Sequence, residues 1–293
     1  MTKYIDFPHS IVNYSITSCS NELMSMMEAV YFLSDDNNMT CDNTVNITVN
    51  QDPINVFVSR SGERIESFLN ISNIHLCFIK ITEIIRNTLE FENGWNPYHG
   101  TAISHEHITY VFLGESRSGK TTLAAYLANY RDMQIVAEDL VLINYNTFEI
   151  ATYKRPLLLR SGGYNLLTKK YGIDFVNVRP INISYETKML IQSNYANDNV
   201  KYYASCAIIL ELSKAPVNIY PIKEKGRYLI HSYLHNTMLK NTVSAILIER
   251  QLPLYRMSYY DLAEVYKLIT NRAFIDNYCT GLPDVENDSA RKN

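Results

Sequence analysis

A glycine-rich segment near the middle of the chain limits what this protein can fold into. Residues 114–121 are GESRSGKT and match the pattern G-x-x-x-x-G-K-[ST]. A strand-like run, HITYVFL at 107–113, precedes the segment, and a helix-like run, GKTTLAAYLANY at 119–130, follows it. A second apolar run at 135–143 completes a strand–helix–strand unit. Such a unit favours a parallel or mixed sheet with helices on its faces.

The residue types in this segment suit the binding of phosphate. Gly114 and Gly119 allow the backbone to curl so that consecutive N–H groups point into one concavity. The helix that begins near Gly119 adds the positive end of its dipole. Lys120 can place a charge on the terminal phosphates, and the Thr121 hydroxyl can bind Mg²⁺. We therefore predict a nucleotide site made by Gly114, Ser116, Arg117, Ser118, Gly119, Lys120, Thr121 and Thr122.

Two neighbouring acidic residues interrupt the apolar run that follows the loop helix. Glu138 and Asp139 stand within IVAEDLVLI at 135–143, which we predict to be one continuous strand. Successive side chains of a strand point to opposite faces, so at least one carboxylate would point toward the layer that packs on the sheet. A metal ion or Lys120 would offset the cost of burying it. The alternative is a turn between two short strands, with both carboxylates in water.

Composition and charge exclude several classes of function. The 293 residues are 46% hydrophobic and 19% charged, which fits a globular protein, and the net charge of −3 provides no basic surplus for nucleic acid or an anionic membrane. No uncharged apolar stretch reaches the length of a transmembrane helix, and the first thirty residues lack the apolar core of a signal peptide. The five cysteines are scattered, without a CxxC pair. We expect a cytoplasmic protein with reduced thiols.

The pattern of the chain changes near residue 97. Before it, alternating runs such as VNITVN and INVFVS predict strands, and the second half of 72–90 has the spacing of an amphipathic helix. The segment GWNPYHG at 94–100 then interrupts the pattern. We therefore divide the chain into a strand-rich N-terminal region at 1–97, which could dock a substrate or partner, and an α/β domain with a mixed sheet at 98–293.

Beyond the acidic pair, two arginines flank an apolar run. Arg155 or Arg160 could reach a transferred phosphoryl group or an acidic substrate, and an ordinary solvated strand end is the alternative. Further elements are predicted as strands at 155–160, 206–212 and 217–222 and an amphipathic helix at 258–274.

Three elements taken together resemble the HPr kinase/phosphorylase family and its relatives, the HPr-kinase-like serine kinases. They are the pair His99-Gly100, the loop at 114–121, and Ala137-Glu138-Asp139 followed by apolar residues. Asp139 stands only 19 residues after Lys120, so the acids come from the very next strand. The resemblance is close over about 45 residues and looser over 98–275.

The resemblance implies a P-loop domain of the HPr-kinase and PEP-carboxykinase type and a phosphotransferase that uses ATP and Mg²⁺. It implies a hydroxyl acceptor, a serine of a peptide or protein, and a homo-oligomer is common among such relatives. By the same resemblance Glu138 is the base and Asp139 binds the metal with Thr121, although the reverse assignment, with Glu138 as the metal ligand, stays open. The resemblance places His99 near the phosphates, where it stabilises charge or orients groups; the alternative is a loop histidine that only forms local hydrogen bonds. The chain looks more like the shorter relatives found beside peptide-modifying genes, which suggests a tailoring kinase for a peptide natural product.

The chain departs from the family pattern at three positions. The first acid is Glu138 rather than Asp, Thr122 stands where bacterial HPr kinases usually have Glu, and the later glycine-rich signature is faint at 171–178. These departures leave the acceptor open. Two alternatives to the peptide kinase therefore stand: a nucleotide-binding regulator or ATPase subunit that phosphorylates nothing, and a small-molecule kinase of related fold.

Overall fold

The computed structural model describes residues 1–6, 13–31, 33, 35, 44–89, 94–152, 155–183, 186–197, 199–222 and 251–278. The first elements in chain order are β1 (Thr2–Asp6), β2 (Asn13–Ser18), α1 (Asn21–Val30), β3 (Thr44–Asn50), β4 (Ile54–Arg60), β5 (Glu63–Ile71) and α2 (Ile74–Leu89). The elements that carry the loop are β6 (Trp95–Tyr98), β7 (Gly100–His105), β8 (Ile108–Leu113), α3 (Lys120–Tyr130), β9 (Gln134–Glu138), β10 (Val141–Asn144) and β11 (Glu149–Ala151).

The remaining described elements are β12 (Leu157–Arg160), α4 (Ser161–Tyr171), β13 (Arg179–Ile183), β14 (Glu186–Ile191), β15 (Tyr202–Leu212), β16 (Asn218–Pro221), β17 (Leu254–Tyr259), α5 (Leu262–Ile269) and α6 (Arg272–Tyr278). None of the helices in these described ranges is long and apolar enough to cross a bilayer.

The N-terminal elements form a sheet of their own. It has five strands in the order β1-β2-β3-β4-β5, in which β2 and β3 are parallel and the other pairs are antiparallel. Val45, Ile47 and Val49 are buried on β3 while the residues between them are more exposed, which is the alternation expected of a sheet with one covered face. The strands predicted from VNITVN and INVFVS are confirmed.

The central sheet places the loop at the end of one of its inner strands. Its order is β6-β10-β11-β15-β8-β7-β9, and β17 pairs with the far half of β15. β15 and β8 are parallel, whereas β7 is antiparallel to both β8 and β9. The unit β8–α3–β9 is therefore a crossover between two parallel strands with β7 lying between them. The expected mixed sheet with helices is confirmed, and a third, antiparallel sheet, β12-β14-β13, lies beside it.

Two apolar cores cover the two faces of the central sheet. On β8, Val111 belongs to the core shared with the N-terminal sheet, and Tyr110 belongs to the core shared with α3 and α5. Because both faces are covered, the inner strands are continuously apolar. The predicted division at residues 97/98 falls within β6, and Trp95 and Tyr98 lie in the first core with residues from both sides of it. Whether the two regions fold separately stays a prediction.

The structure corrects two predicted elements. The run at 135–143 is not one strand, because the chain leaves β9 at Glu138, bends at Asp139 and resumes as β10, which pairs with β6 instead of β7. The predicted helix at 258–274 begins only at Leu262, since Asp261 caps it by accepting the Ala263 N–H at 2.8 Å. Ser258 and Tyr259 belong to β17, and the predicted span contains two helices, because α5 ends at Ile269 and α6 begins at Arg272.

Candidate functional site

The glycine-rich loop is held in a curled conformation by contacts that require its two glycines. Gly114 and Gly119 have φ values of +152° and +91°. A Cβ on Gly119 would collide with the hydroxyl of Tyr259, and one on Gly114 would lie 2.5 Å from the Ser118 Oγ. The same Tyr259 hydroxyl donates to the Ser118 carbonyl at 2.8 Å. Tyr259, at the end of β17, thus holds the loop in this conformation.

Lys120, the first residue of α3, spans the inside of this loop. Its ammonium group donates to the carbonyls of Gly114 at 2.6 Å and Glu115 at 2.9 Å. The residue is only 8% exposed. Burial lowers the pKa of the Lys120 ammonium, and the nearby charges of Glu138 and Asp139 oppose that change. A buried cation held by carbonyls alone is a site at which an anion would be favourable.

Glu138 lies at the end of β9 and is held by two threonine hydroxyls. Thr121 donates to Oε1 at 2.6 Å, and Thr101 of β7 donates to Oε2. The carboxyl group is buried, with 3% of the residue exposed. Burial raises the pKa of Glu138 to about 7, although the two threonine hydrogen bonds act in the opposite direction. The loop helix and the sheet are therefore joined through one carboxylate.

Asp139 occupies the bend that follows. Its φ of +65° is left-handed, a conformation that Asp tolerates better than most residues. Its carboxylate forms an ion pair with Arg155, and Oδ1 lies 3.4 Å from the Nδ1 of His99. That nitrogen also lies 3.2 Å from the backbone oxygen of Asp139. Because of the bend, both carboxylates line one cleft. They do not point to opposite faces of a single strand, as one continuous strand would require, and they are not both in water, as the alternative turn would require.

A cleft of about 620 Å³ gathers most of the predicted site residues. Gly114 and Ser118 belong to the loop, but they are buried and do not line the cleft. Arg160 reaches the cleft from the end of β12 and lies 3.4 Å from a carboxylate oxygen of Glu186. The predicted residues that line the cleft are His99, Ser116, Arg117, Gly119, Lys120, Thr121, Thr122, Glu138, Asp139, Arg155 and Arg160.

Several side chains of the site were not predicted from the sequence. Thr101 stands two residues after His99, so its place on the strand beside the acids could have been inferred from the His-Gly pair. Tyr259 and Lys188 come from distant strands, and no local pattern marks them. Tyr31, which follows α1, places its ring 5.6 Å from the guanidinium of Arg155. The N-terminal region therefore contributes a side chain to the surroundings of the acidic pair.

The oxygen donors of the cleft suit a hard cation. A threonine hydroxyl and two carboxylates are ligands of the kind that Mg²⁺ prefers, and at phosphate sites Mg²⁺ completes its shell with phosphate oxygens and water. Within the described ranges, no cluster of three or more His, Cys, Asp or Glu side chains could hold a metal by itself. Thr121, Glu138 and Asp139 are therefore ligands of the type that fits Mg²⁺.

Comparison with known protein families gives no matching family model. Comparison with curated proteins gives no significant match. The function of the cleft must therefore be inferred from its own side chains.

Proposed function

We propose that this protein is an ATP- and Mg²⁺-dependent kinase that transfers a phosphoryl group to a hydroxyl, a serine of a peptide or protein, on a P-loop domain of the HPr-kinase type. One observation carries the proposal: Lys120, the Thr121–Glu138 pair and Asp139 converge on a single cleft. A kinase that modifies a peptide natural product is the form of this activity that the sequence resemblance suggests.

The loop would bind the phosphates of ATP. Its N–H groups and the N-terminus of α3 supply a favourable field for anions. Lys120 would exchange the carbonyls of Gly114 and Glu115 for phosphate oxygens, which are stronger acceptors for an ammonium. Thr121 and an acidic side chain of the pair would hold Mg²⁺, which would neutralise part of the phosphate charge.

The two carboxylates differ in their access to an acceptor. Both oxygens of Glu138 already accept threonine hydrogen bonds, and the residue is buried. The side chain of Asp139 is 26% exposed and is oriented by Arg155 and His99. These facts support an assignment that is the reverse of the sequence-based one, with Asp139 as the base and Glu138 on the metal side. His99 is then a positioning residue.

The transfer itself can be written with these groups. As the hydroxyl oxygen of the acceptor forms its bond to the γ-phosphorus, the bond from that phosphorus to the β–γ bridging oxygen breaks and ADP leaves. The hydroxyl proton passes to the Asp139 carboxylate. Lys120 stabilises the charge on the transferred group, and most of the rate acceleration would come from positioning and electrostatics.

The test is incubation with γ-labelled ATP, Mg²⁺ and a pool of serine peptides. Label in peptide is expected from the wild-type protein, and Lys120→Met should abolish it. A peptide without label, together with released free phosphate, would contradict the kinase and favour the ATPase or regulator. Label that enters only small hydroxyl compounds would instead favour the small-molecule kinase.

A further inference from the structure

Outside the glycine-rich loop the cleft is lined by two chemically different sets of side chains, which we call its two ends. One end lies against β15 and β17, where Leu212, Tyr260 and Leu262 line it. Leu212 and Tyr260 are 61% and 65% exposed, so both present apolar surface to the cleft. A surface of this kind suits the flat, apolar face of a nucleobase.

The other end is formed by the small sheet that carries β12 and β14. Arg160 and Lys188 are directly opposite each other in the pairing of these strands, and both line the cleft. The same set includes Leu158 on β12 and Leu166 on α4, the helix that follows β12, and Leu166 is 39% exposed. This end therefore combines positive charge with apolar surface.

Among the described residues, two cations of the cleft, Arg117 and Lys188, form no hydrogen bond or ion pair, and of these two only Lys188 is partly buried. Asp139 is paired with Arg155, and Glu186 is paired with Arg160. Glu138 accepts hydrogen bonds from its two threonines. Burial lowers the pKa of Lys188, whereas Glu186 raises it without bonding to it.

A partly buried ammonium without a bonded carboxylate is costly unless a ligand supplies the anion. Lys188 also lies within electrostatic range of Asp139, the residue that faces an incoming hydroxyl. An anion on the acceptor, the molecule that carries this hydroxyl, would balance the charge of the Lys188 ammonium.

We propose that Lys188, supported by Arg160, binds a carboxylate of the acceptor, so that the preferred substrate is a peptide segment with Asp or Glu close to the serine. This specificity rests on the proposed function, because it identifies the cleft end beside β12 and β14 as the acceptor subsite. Leu158 and Leu166 would pack against the apolar part of the same segment.

The test uses three matched sets of fluorescent serine peptides that differ only in having Asp, Asn or Lys near the serine. Binding is measured by anisotropy with a non-hydrolysable ATP analogue and Mg²⁺. The Asp set is expected to bind about tenfold or more tightly than the Asn set, as for a charge-assisted hydrogen bond. Lys188→Met should remove the preference, and Lys188→Glu should shift it toward the Lys set.

Lys169→Glu is the matched control, because Lys169 is exposed on α4 and does not line the cleft. Equal binding of the three sets, binding of none, or an Asp preference that survives in Lys188→Met would overturn the proposal. So would an effect of Lys188→Met on nucleotide affinity alone. The wild-type preference is itself decisive if a variant fails to fold.

The same peptides separate this proposal from the proposed function. If Asp peptides bind through Lys188 but receive no label from γ-labelled ATP, the subsite stands and the kinase fails. If label enters all three sets equally and binding shows no preference, the kinase stands and the subsite fails.

Discussion

Thr121 donates its hydroxyl hydrogen to Glu138 over 2.6 Å, which ties the first turn of the loop helix to the end of the neighbouring strand. Both groups are oxygen donors that a phosphate-bound Mg²⁺ could use. Their hydrogen bond orients them before a nucleotide arrives, so less side-chain freedom is lost on binding. The arrangement has a cost, since it holds a carboxyl group away from water.

That cost predicts a pH dependence of stability. Burial raises the pKa of Glu138 to about 7 in the folded protein, against an ordinary value of 4.5 for glutamate. The contribution of Glu138 to the free energy of unfolding is therefore greatest below pH 4.5. It falls as the pH rises toward 7 and is constant at higher pH. The total loss should be about 3 kcal/mol, and Glu138→Gln should remove it. Urea unfolding in the absence of nucleotide, followed by the fluorescence of Trp95, measures both proteins.

Glu63→Gln is a suitable control because Glu63 is exposed at the start of β5. It should leave the pH dependence of the free energy of unfolding unchanged. An unaltered pH dependence in Glu138→Gln would show that Glu138 is not the group responsible.

The position of Lys120 predicts a loss of nucleotide binding on substitution. Lys120→Met removes the ammonium that spans the loop, and the dissociation constant for ATP should rise by roughly 10- to 100-fold. Stability should change little, since the burial cost of the cation is removed with it. Isothermal titration calorimetry measures the affinity, and Lys169→Met on the exposed face of α4 is the control. Unchanged ATP affinity would exclude the loop as the phosphate site.

Asp139→Asn tests the base. Asn tolerates the left-handed backbone at this position, so the fold should persist while the rate of phosphoryl transfer falls by roughly 10²- to 10⁴-fold. The Mg²⁺ concentration for half-maximal rate should stay unchanged, whereas Glu138→Gln should raise it. Asp132→Asn is a matched control, because Asp132 also has a positive φ and does not line the cleft. Full activity of Asp139→Asn would refute the mechanism.

The contact behind the loop predicts a stability effect at Gly119. Gly119→Ala places a methyl group against the hydroxyl of Tyr259 at a φ of +91°, so the protein should lose about 1–3 kcal/mol. Tyr259→Phe removes the hydroxyl and should recover part of the loss in the double variant. A double-mutant cycle by chemical denaturation measures this coupling. Strictly additive effects would mean that the two residues do not constrain each other.

Tyr31 does not line the cleft, but its contact with Arg155 predicts an effect of its substitution on the rate of transfer. Tyr31→Leu removes the aromatic face next to Arg155, and the rate of transfer should fall about 2- to 30-fold through a less well-held Arg155–Asp139 pair. Tyr31→Phe keeps the ring and should retain most of the rate. ATP affinity should be the same in all three proteins. A loss as large in Tyr31→Phe would assign the effect to the hydroxyl instead.

The sequence was informative where function depends on a local pattern. The strand, glycine-rich loop and helix around Lys120 are contiguous, and their apolar spacing predicted the elements to within a residue or two. Asp261 is also a local signal, because an Asp directly before an apolar helical run is a preferred N-cap and marks the start of α5 at Leu262. Local signals of this kind act over one or two turns of chain.

The rest of the site depends on long-range pairing. The bend at Asp139 exists because β10 pairs with β6 instead of continuing beside β7. Lys188 meets Arg160 only through the register of β12 and β14, and Tyr259 reaches the loop because β17 pairs with β15. Which strands pair is decided by competition among all the strands of the chain. The local sequence around Asp139, Lys188 and Tyr259 therefore does not indicate these pairings.

The apolar core that β8 shares with the N-terminal sheet has a consequence for modularity. Val111 on β8 and Val136 on β9 belong to one buried apolar core with side chains that precede residue 97, among them Ile47 and Phe78. A shortened chain beginning at residue 98 would expose this surface and should aggregate rather than act as a minimal enzyme. Replacing the N-terminal region by that of another protein would therefore also require substitutions on the face of the central sheet that carries Val111 and Val136.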